Sequence, residues 1–276
     1  MAFYLLLFAC ISTKIFIFAN KNYIINIKKN MEFRNFENRE MNRYESMTRE
    51  EQLGMSAAFP VLMRKVYVWM AMALAITGIT AYGVASSPAL VQLIYSSKVT
   101  FFGLIIAELA LVFWVSARID RLSLTKATLL FILYSVINGA TLASIFFNFS
   151  SAVITKTFFI TAGTFGAMAV YGYFTKSDLS SWGRLLIMAV LGLIIASIVN
   201  IFLRSSLMEF IISGIGVLVF VGLTAYDSQK IKQMLIMQTD LGETAQKIAL
   251  MGALSLYLDF INLFLYLLRI FGRGND

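Results

Sequence analysis

Histidine is absent from this chain, and cysteine occurs once, at Cys10. The lack of histidine excludes histidine-ligated zinc and Ser-His-Asp hydrolysis, because both need an imidazole. A single cysteine excludes an intrachain disulfide. Charge is also scarce: charged residues make up 14% of the chain, whereas soluble domains carry about 25%. Because 59% of the residues are hydrophobic, the composition indicates an integral membrane protein that contacts the lipid bilayer and leaves no room for a sizeable soluble domain.

Seven apolar segments follow one another along the chain, and each is near the ~20 residues that a helix needs to cross ~30 Å of hydrocarbon. The pattern predicts an all-α bundle of seven transmembrane helices. Both prolines, Pro60 and Pro88, fall outside the expected spans. These spans cover about residues 66–85, 99–117, 127–149, 157–175, 185–203, 210–227 and 248–271.

The ends of the chain are interpreted separately. We interpret residues 1–30 as an over-extended start or an apolar leader, since they lack the basic region that opens a signal peptide. A chain that starts at Met31 is therefore expected to behave like the full one. Residues 31–60 read as a polar N-terminal tail, residues 61–272 as the membrane domain and residues 273–276 as a C-terminal tail.

The distribution of Lys and Arg predicts the orientation. The loops after the second, fourth and sixth spans are richer in these residues than the loops between them. The positive-inside rule then places the N-terminus in the cytoplasm, in a cell (inner) membrane. The net charge of +8 agrees with basic cytoplasmic loops and gives no reason to expect a nucleic-acid partner. Arg269 violates the rule locally, because seven spans put the C-terminus outside.

The last span carries a lone acid, Asp259, in an otherwise apolar helix. A carboxylate in hydrocarbon costs roughly 2.5–3.5 kcal/mol or more, so we expect this helix inside the bundle. Helical spacing from Asp259 defines a polar stripe on one face, which is expected to lie against other helices. The stripe consists of Ser255, Asp259, Asn262, Tyr266 and Arg269.

A second acid, Asp227, closes the sixth apolar segment. Taken alone it reads equally well as an interfacial carboxylate that pairs with Lys230. If Asp227 and Asp259 meet, like charges in a low dielectric cannot both ionise cheaply, so the two are expected to share one proton near neutral pH. Loss of that proton would change helix packing and leave oxygen ligands that attract Ca²⁺ transiently. On simple topology Asp227 lies near a membrane face and Asp259 ~16 Å into the next helix, which opposes the contact.

Two further features limit the choice of function. Glu108, inside the second span, is either a pore-lining acid or a hydrogen-bonded structural group. Two intramembrane aspartates also serve in aspartyl proteases, but Asp259 stands in YLD rather than in a glycine-flanked GxGD. We therefore expect no enzymatic activity and no cofactor.

Three stretches resemble the Bax inhibitor-1 family of transmembrane proteins, and the resemblance covers about residues 58–272. They are GTFGAMAVYGYFTKSDL (163–179), GLTAYDSQK (222–230) and LSLYLDFINLFLYLLRIFG (254–272). The resemblance to this family, in its bacterial form, implies a bundle in which six helices surround the last. It implies a pH-sensitive Ca²⁺ leak gated by a di-aspartyl pair that maps onto Asp227 and Asp259. An arginine latch would map onto Arg118 or, failing that, Arg121.

The same resemblance keeps a second function open. Some bacterial members look like modulators of a membrane-bound quality-control protease, which is a binding role without conduction. The two hypotheses are thus a cation leak and a regulator that binds other membrane proteins.

Overall fold

The structure is a computed structural model that describes residue 14 and residues 49–272. The described residues form helices without a strand, as the sequence predicted. We number the α-helices of residues 49–272 from α1 to α9 in chain order; a 3₁₀ turn, Ile119–Arg121, follows α3. The helices are α1 (Arg49–Ala85), α2 (Pro88–Tyr95), α3 (Lys98–Arg118), α4 (Leu124–Leu142), α5 (Ile145–Asn148), α6 (Ser151–Phe174), α7 (Ser180–Leu203), α8 (Ser206–Ile236) and α9 (Glu243–Gly272).

Seven stretches of these helices are long and apolar enough to cross a membrane, which confirms the predicted number of spans. They lie in α1, α3, α4 with α5, α6, α7, α8 and α9. Serine caps begin three of them: the side chains of Ser123, Ser150 and Ser205 accept hydrogen bonds from the first turns of α4, α6 and α8. Such caps satisfy backbone N–H groups that a helix start leaves open. From the second span onward, short loops join each span to the next, so these consecutive spans run antiparallel.

Two predicted boundaries were wrong. Pro60 lies inside α1 rather than before the first span, at an exposed position early in that helix. The sixth span does not end at Asp227, because α8 continues to Ile236. The residues after Asp227 keep a helical pattern, and the chain turns only at residues 237–242. Asp227 therefore lies well inside its helix, not at its end.

Helix α9 is the most buried element of the described chain. In its apolar window 94% of the residues are buried, against 22–56% for the other six spans. Its main neighbours are α1, α4, α6 and α8. Burial on all sides agrees with its nearly uniform apolar sequence, because a helix that is hydrophobic all round belongs in a core.

Glycines allow close approach between several helices. At Gly172 of α6, an added Cβ would lie 2.1 Å from the backbone oxygen of Ala225 on α8. At Gly216 of α8, it would lie 2.5 Å from the ring of Tyr266 on α9. At Gly163 and Gly166, also on α6, an added Cβ would have nothing within 4 Å. Small residues thus allow α6 to pack closely on α8 near Asp227, and α8 to pack closely on α9 near Tyr266.

Candidate functional site

Helices α8 and α9 form an antiparallel pair, and this pairing determines where Asp227 lies. The short turn between the helices brings Asp227 opposite the middle of α9. There the hydroxyl of Ser255 donates a hydrogen bond of 2.5 Å to Asp227 Oδ2. Asp227 is 2% exposed and Asp259, one helical turn beyond Ser255, is 0% exposed. Because α8 continues for several turns beyond Asp227, Asp227 and Asp259 lie at similar depths in the bundle. The difference in depth expected from the sequence is therefore absent.

A lysine from the N-terminal segment lies at the same point. The Lys14 ammonium forms ion pairs with Asp227 and, at 2.8 Å, with Asp259 Oδ1. It also donates hydrogen bonds to the Ser255 hydroxyl (2.8 Å) and to the Ser255 carbonyl (3.1 Å). Lys14 is 4% exposed, so this contact is inside the protein. The two carboxylates therefore approach each other around one shared cation.

Lys230 brings a second positive charge into the same region. It lies one turn after Asp227 on α8, as the sequence spacing implied, but it is 5% exposed and not part of a loop. Its ammonium lies 5.5 Å from the ring centroid of Tyr226 and interacts electrostatically with Asp227. Two carboxylates and two ammonium groups are thus buried together, which limits the cost of removing each from water.

The predicted polar stripe of α9 is buried and follows α8 along most of its length. Ser255 contacts Asp227, and the Tyr266 ring packs against Phe220 and the Gly216 backbone. The Arg269 guanidinium pairs with Glu209 at the start of α8, at 3.4 Å. This ion pair explains a charged residue at the end of the last span. Asn262 turns back on its own helix and donates to the Leu258 carbonyl at 2.8 Å.

Glu108 lies apart from the two aspartates, on α3, and is 0% exposed. The Thr141 hydroxyl of α4 donates to Glu108 Oε1 at 2.5 Å. One turn earlier on α4, Asn138 accepts a hydrogen bond of 3.0 Å from Tyr257 of α9. The bond from Thr141 fits the structural alternative for Glu108, in which the acid ties α3 to α4.

The arginine latch is not formed in this structure. Arg118 ends α3, Arg121 ends the following 3₁₀ turn, and both are exposed. Neither contacts Asp227 or Asp259, whose positive partner is Lys14. The latch therefore stays a prediction for another conformation of the helices.

Within residues 49–272 and Lys14, no three or more His, Cys, Asp or Glu side chains are grouped so that they could hold a metal ion. The oxygen atoms around the Lys14 ammonium belong to Asp227, Asp259 and Ser255. Four of these oxygen atoms contact the ammonium, fewer than the 6–8 oxygen ligands of a resident Ca²⁺. We call these oxygen atoms the cation site.

Sequence reasoning missed Lys14, although a signal was present. Lys14 is the sole charge in the apolar run of residues 1–18, so the argument that singled out Asp259 applies to it equally. The other residues of the segment 1–30 lie outside the described part of the chain, as do residues 273–276. That segment 1–30 is dispensable stays a prediction, but the contacts of Lys14 count against it.

Fold and site together define a class: a multi-pass helical membrane protein with buried acids on its last two spans. The family described as "Inhibitor of apoptosis-promoting Bax1" matches residues 60–276. The chain belongs to this family, the Bax inhibitor-1 family, as the sequence motifs indicated.

Bacterial relatives match most of the chain. The inner membrane protein YbhL of Escherichia coli (strain K12) is 50% identical over 219 residues, which cover 79% of this chain and 93% of the relative. An uncharacterized protein of Borreliella burgdorferi is 46% identical, over 78% of this chain and 93% of the relative. One of Deinococcus radiodurans is 42% identical, over 84% and 96%. The name of the Escherichia coli relative places that protein in an inner membrane.

Proposed function

We propose that this chain is a pH-sensitive Ca²⁺ leak channel of the cell membrane, gated by Asp227 and Asp259. The observation that carries the proposal is the cation site itself: carboxylates from two helices converge on one positive charge in the buried core. Carboxylate and carbonyl oxygens are the ligands that Ca²⁺ prefers. A structural core has no need of this arrangement, because apolar residues of similar volume are often as stable as a buried ion pair.

The proposed gate works through charge. While both carboxylates and their counter-charge are in place, α8 and α9 are held together across the cation site. A change in the protonation of either aspartate alters the balance of charge in a low dielectric, where it acts strongly on packing. Asp227 is held by Ser255 and Lys14, so its state is transmitted directly to α9. Ca²⁺ is the permeant ion in this proposal and not a resident cofactor, and no reaction is catalysed.

Orientation and location are part of the proposal. The N-terminus and the even-numbered loops would be cytoplasmic, in a cell membrane like that named for the Escherichia coli relative. The loop at Ser177 and the second half of α8 lie at the same end of the bundle, since Gln229 donates to the Ser177 carbonyl at 2.8 Å. This proximity agrees with basic residues of both regions facing one compartment.

The test is dye-reported Ca²⁺ entry into proteoliposomes between about pH 6 and 8, on either side of neutrality where a shared proton would be exchanged. Asp259→Asn and Asp227→Asn remove one charge each from the cation site, and each should abolish most of the pH dependence. The double variant should add little, because coupled groups are not additive. Asp240→Asn is the matched control, since the Asp240 side chain is exposed in the turn between α8 and α9.

Two results would contradict the leak proposal. The first is a flux–pH curve that both single variants leave unchanged. The second is the absence of Ca²⁺ entry at every pH with a folded, correctly inserted protein. Either result would favour the alternative, a non-conducting modulator that binds other membrane proteins such as a membrane quality-control protease.

A further inference from the structure

We propose that Lys14 is a tethered cation that occupies the cation site and holds it closed against free cations. The proposal rests on the proposed function, because it concerns the same site. Its ammonium is surrounded by oxygen atoms of Asp227, Asp259 and Ser255, four of which are within contact distance. Lys230 also interacts electrostatically with both aspartates, whereas Lys14 lies at ion-pair distance from each of them.

The contacts match those of a bound cation. A lysine ammonium is a compact point charge with three N–H donors, and here it contacts two carboxylates, a hydroxyl and a carbonyl. These are the ligand types that a hard cation requires. A free cation and the ammonium cannot occupy one position, because both need the same oxygen atoms. Lys14 therefore excludes a permeant ion for as long as it stays in place.

The charges around the cation site indicate what removal of the Lys14 charge would do. With Lys14 present, Asp227 and Asp259 face two ammonium groups, since Lys230 is buried beside them. The nearby phenols, Tyr226 on α8 and Tyr67 on α1, are neutral when protonated; Tyr67 lies 3.4 Å from the Ser228 hydroxyl. Without Lys14, one negative charge would have no partner. An uncompensated buried charge is strongly unfavourable, so the site would attract a cation from solution.

Lys14 lies outside the part of the chain that the family matches. The family match begins at residue 60, and Lys14 precedes it. A substitution at Lys14 therefore changes no residue of the matched region.

The experiment uses the full-length chain with Lys14→Met, Lys14→Gln and Lys14→Arg. Lys21→Met, a charge loss of the same kind in the same N-terminal segment, is the matched control. Initial Ca²⁺ entry into proteoliposomes should rise several-fold in the Met and Gln variants. It should stay at the unmodified rate in Lys14→Arg, which keeps the charge, and in the control.

A second measurement is independent of conduction. A ligand that binds only the folded state raises the unfolding temperature. Added Ca²⁺ should therefore raise the unfolding temperature of Lys14→Met in detergent, and should raise it far less in the unmodified protein or in Lys14→Met combined with Asp259→Asn. If this shift appears while no variant conducts, the assignment of Lys14 stands and the leak proposal fails.

The opposite pattern overturns the inference and leaves the leak intact. It consists of a normal pH-dependent flux, with Lys14→Met and Lys14→Gln matching the unmodified protein in both Ca²⁺ entry and Ca²⁺-dependent unfolding temperature. If both neutral variants fail to fold while Lys14→Arg folds, Lys14 is a structural ion-pair partner only. That result also overturns the proposal.

Discussion

Replacement of Gly172 by alanine tests the packing that holds Asp227 in place. The added Cβ would lie 2.1 Å from the Ala225 oxygen, and its next two nearest atoms, at 2.8 Å, also belong to the backbone of Ala225. Ordinary contacts begin near 3.4 Å, so α6 and α8 must separate by roughly 1 Å. Overpacking of this kind typically costs about 1–3 kcal/mol. Asp227 lies two residues beyond Ala225, so the displacement should also loosen its contacts with α9.

The measurement is thermal unfolding in detergent, followed by the fluorescence of the three tryptophans. Gly172→Ala should lower the unfolding temperature by about 2–10 °C if the usual relation between free energy and melting temperature applies. Gly163→Ala on the same helix is the control, because nothing lies within 4 Å of its added Cβ. Alanine is the better helix former, so the control should be neutral or slightly stabilising. Equal unfolding temperatures for the two variants would refute the close approach of α6 and α8.

Two further predictions concern the other buried acid and the orientation. Thr141→Val removes the hydrogen-bond donor to Glu108 and should destabilise the fold by about 1–3 kcal/mol. Thr141→Ser keeps the hydroxyl and should retain most of the stability. Equal unfolding temperatures for the two variants would show that the hydrogen bond is not needed. Single cysteines at Ser177 and Gln233, in a Cys10→Ser background, should resist an impermeant thiol reagent in intact cells. Labelling of either from outside would reverse the proposed topology.

Much of the fold could be predicted from the sequence, because bilayer thickness and hydropathy act locally. Each transmembrane helix can be predicted from the length and hydropathy of its own segment, independently of the rest of the chain. The boundary at Asp227 was wrong for a related reason: a polar residue was taken as the end of a span. Asp227, Gln229 and Lys230 are polar but buried, and Asp227 and Gln229 bind groups from other parts of the chain. Hydropathy cannot distinguish a polar residue at the surface from one satisfied inside a bundle.

The candidate site was predictable only in part. Asp259 could be singled out because a lone acid in an apolar helix must find a partner. Which partner it finds depends on contacts distant in sequence, and Lys14 is separated from Asp227 by 213 positions. The polar stripe was found from helical spacing, but its alignment with Gly216 and Glu209 of α8 depends on the register of two helices. Register follows from packing at positions such as Gly216, which no periodicity reveals.

The identity of the counter-charge changes how the site would respond to pH. Sequence reasoning neutralised Asp227 and Asp259 with one shared proton, whose loss as pH rises would change how the helices pack. With the Lys14 ammonium as counter-charge, the trigger is instead protonation of a carboxylate as pH falls, since a neutral acid holds Lys14 less strongly. The two mechanisms therefore respond to opposite changes of pH. In the unmodified chain, Ca²⁺ entry that increases toward low pH would support the mechanism with Lys14 as counter-charge. In Lys14→Met the dependence of Ca²⁺ entry on pH should weaken or reverse.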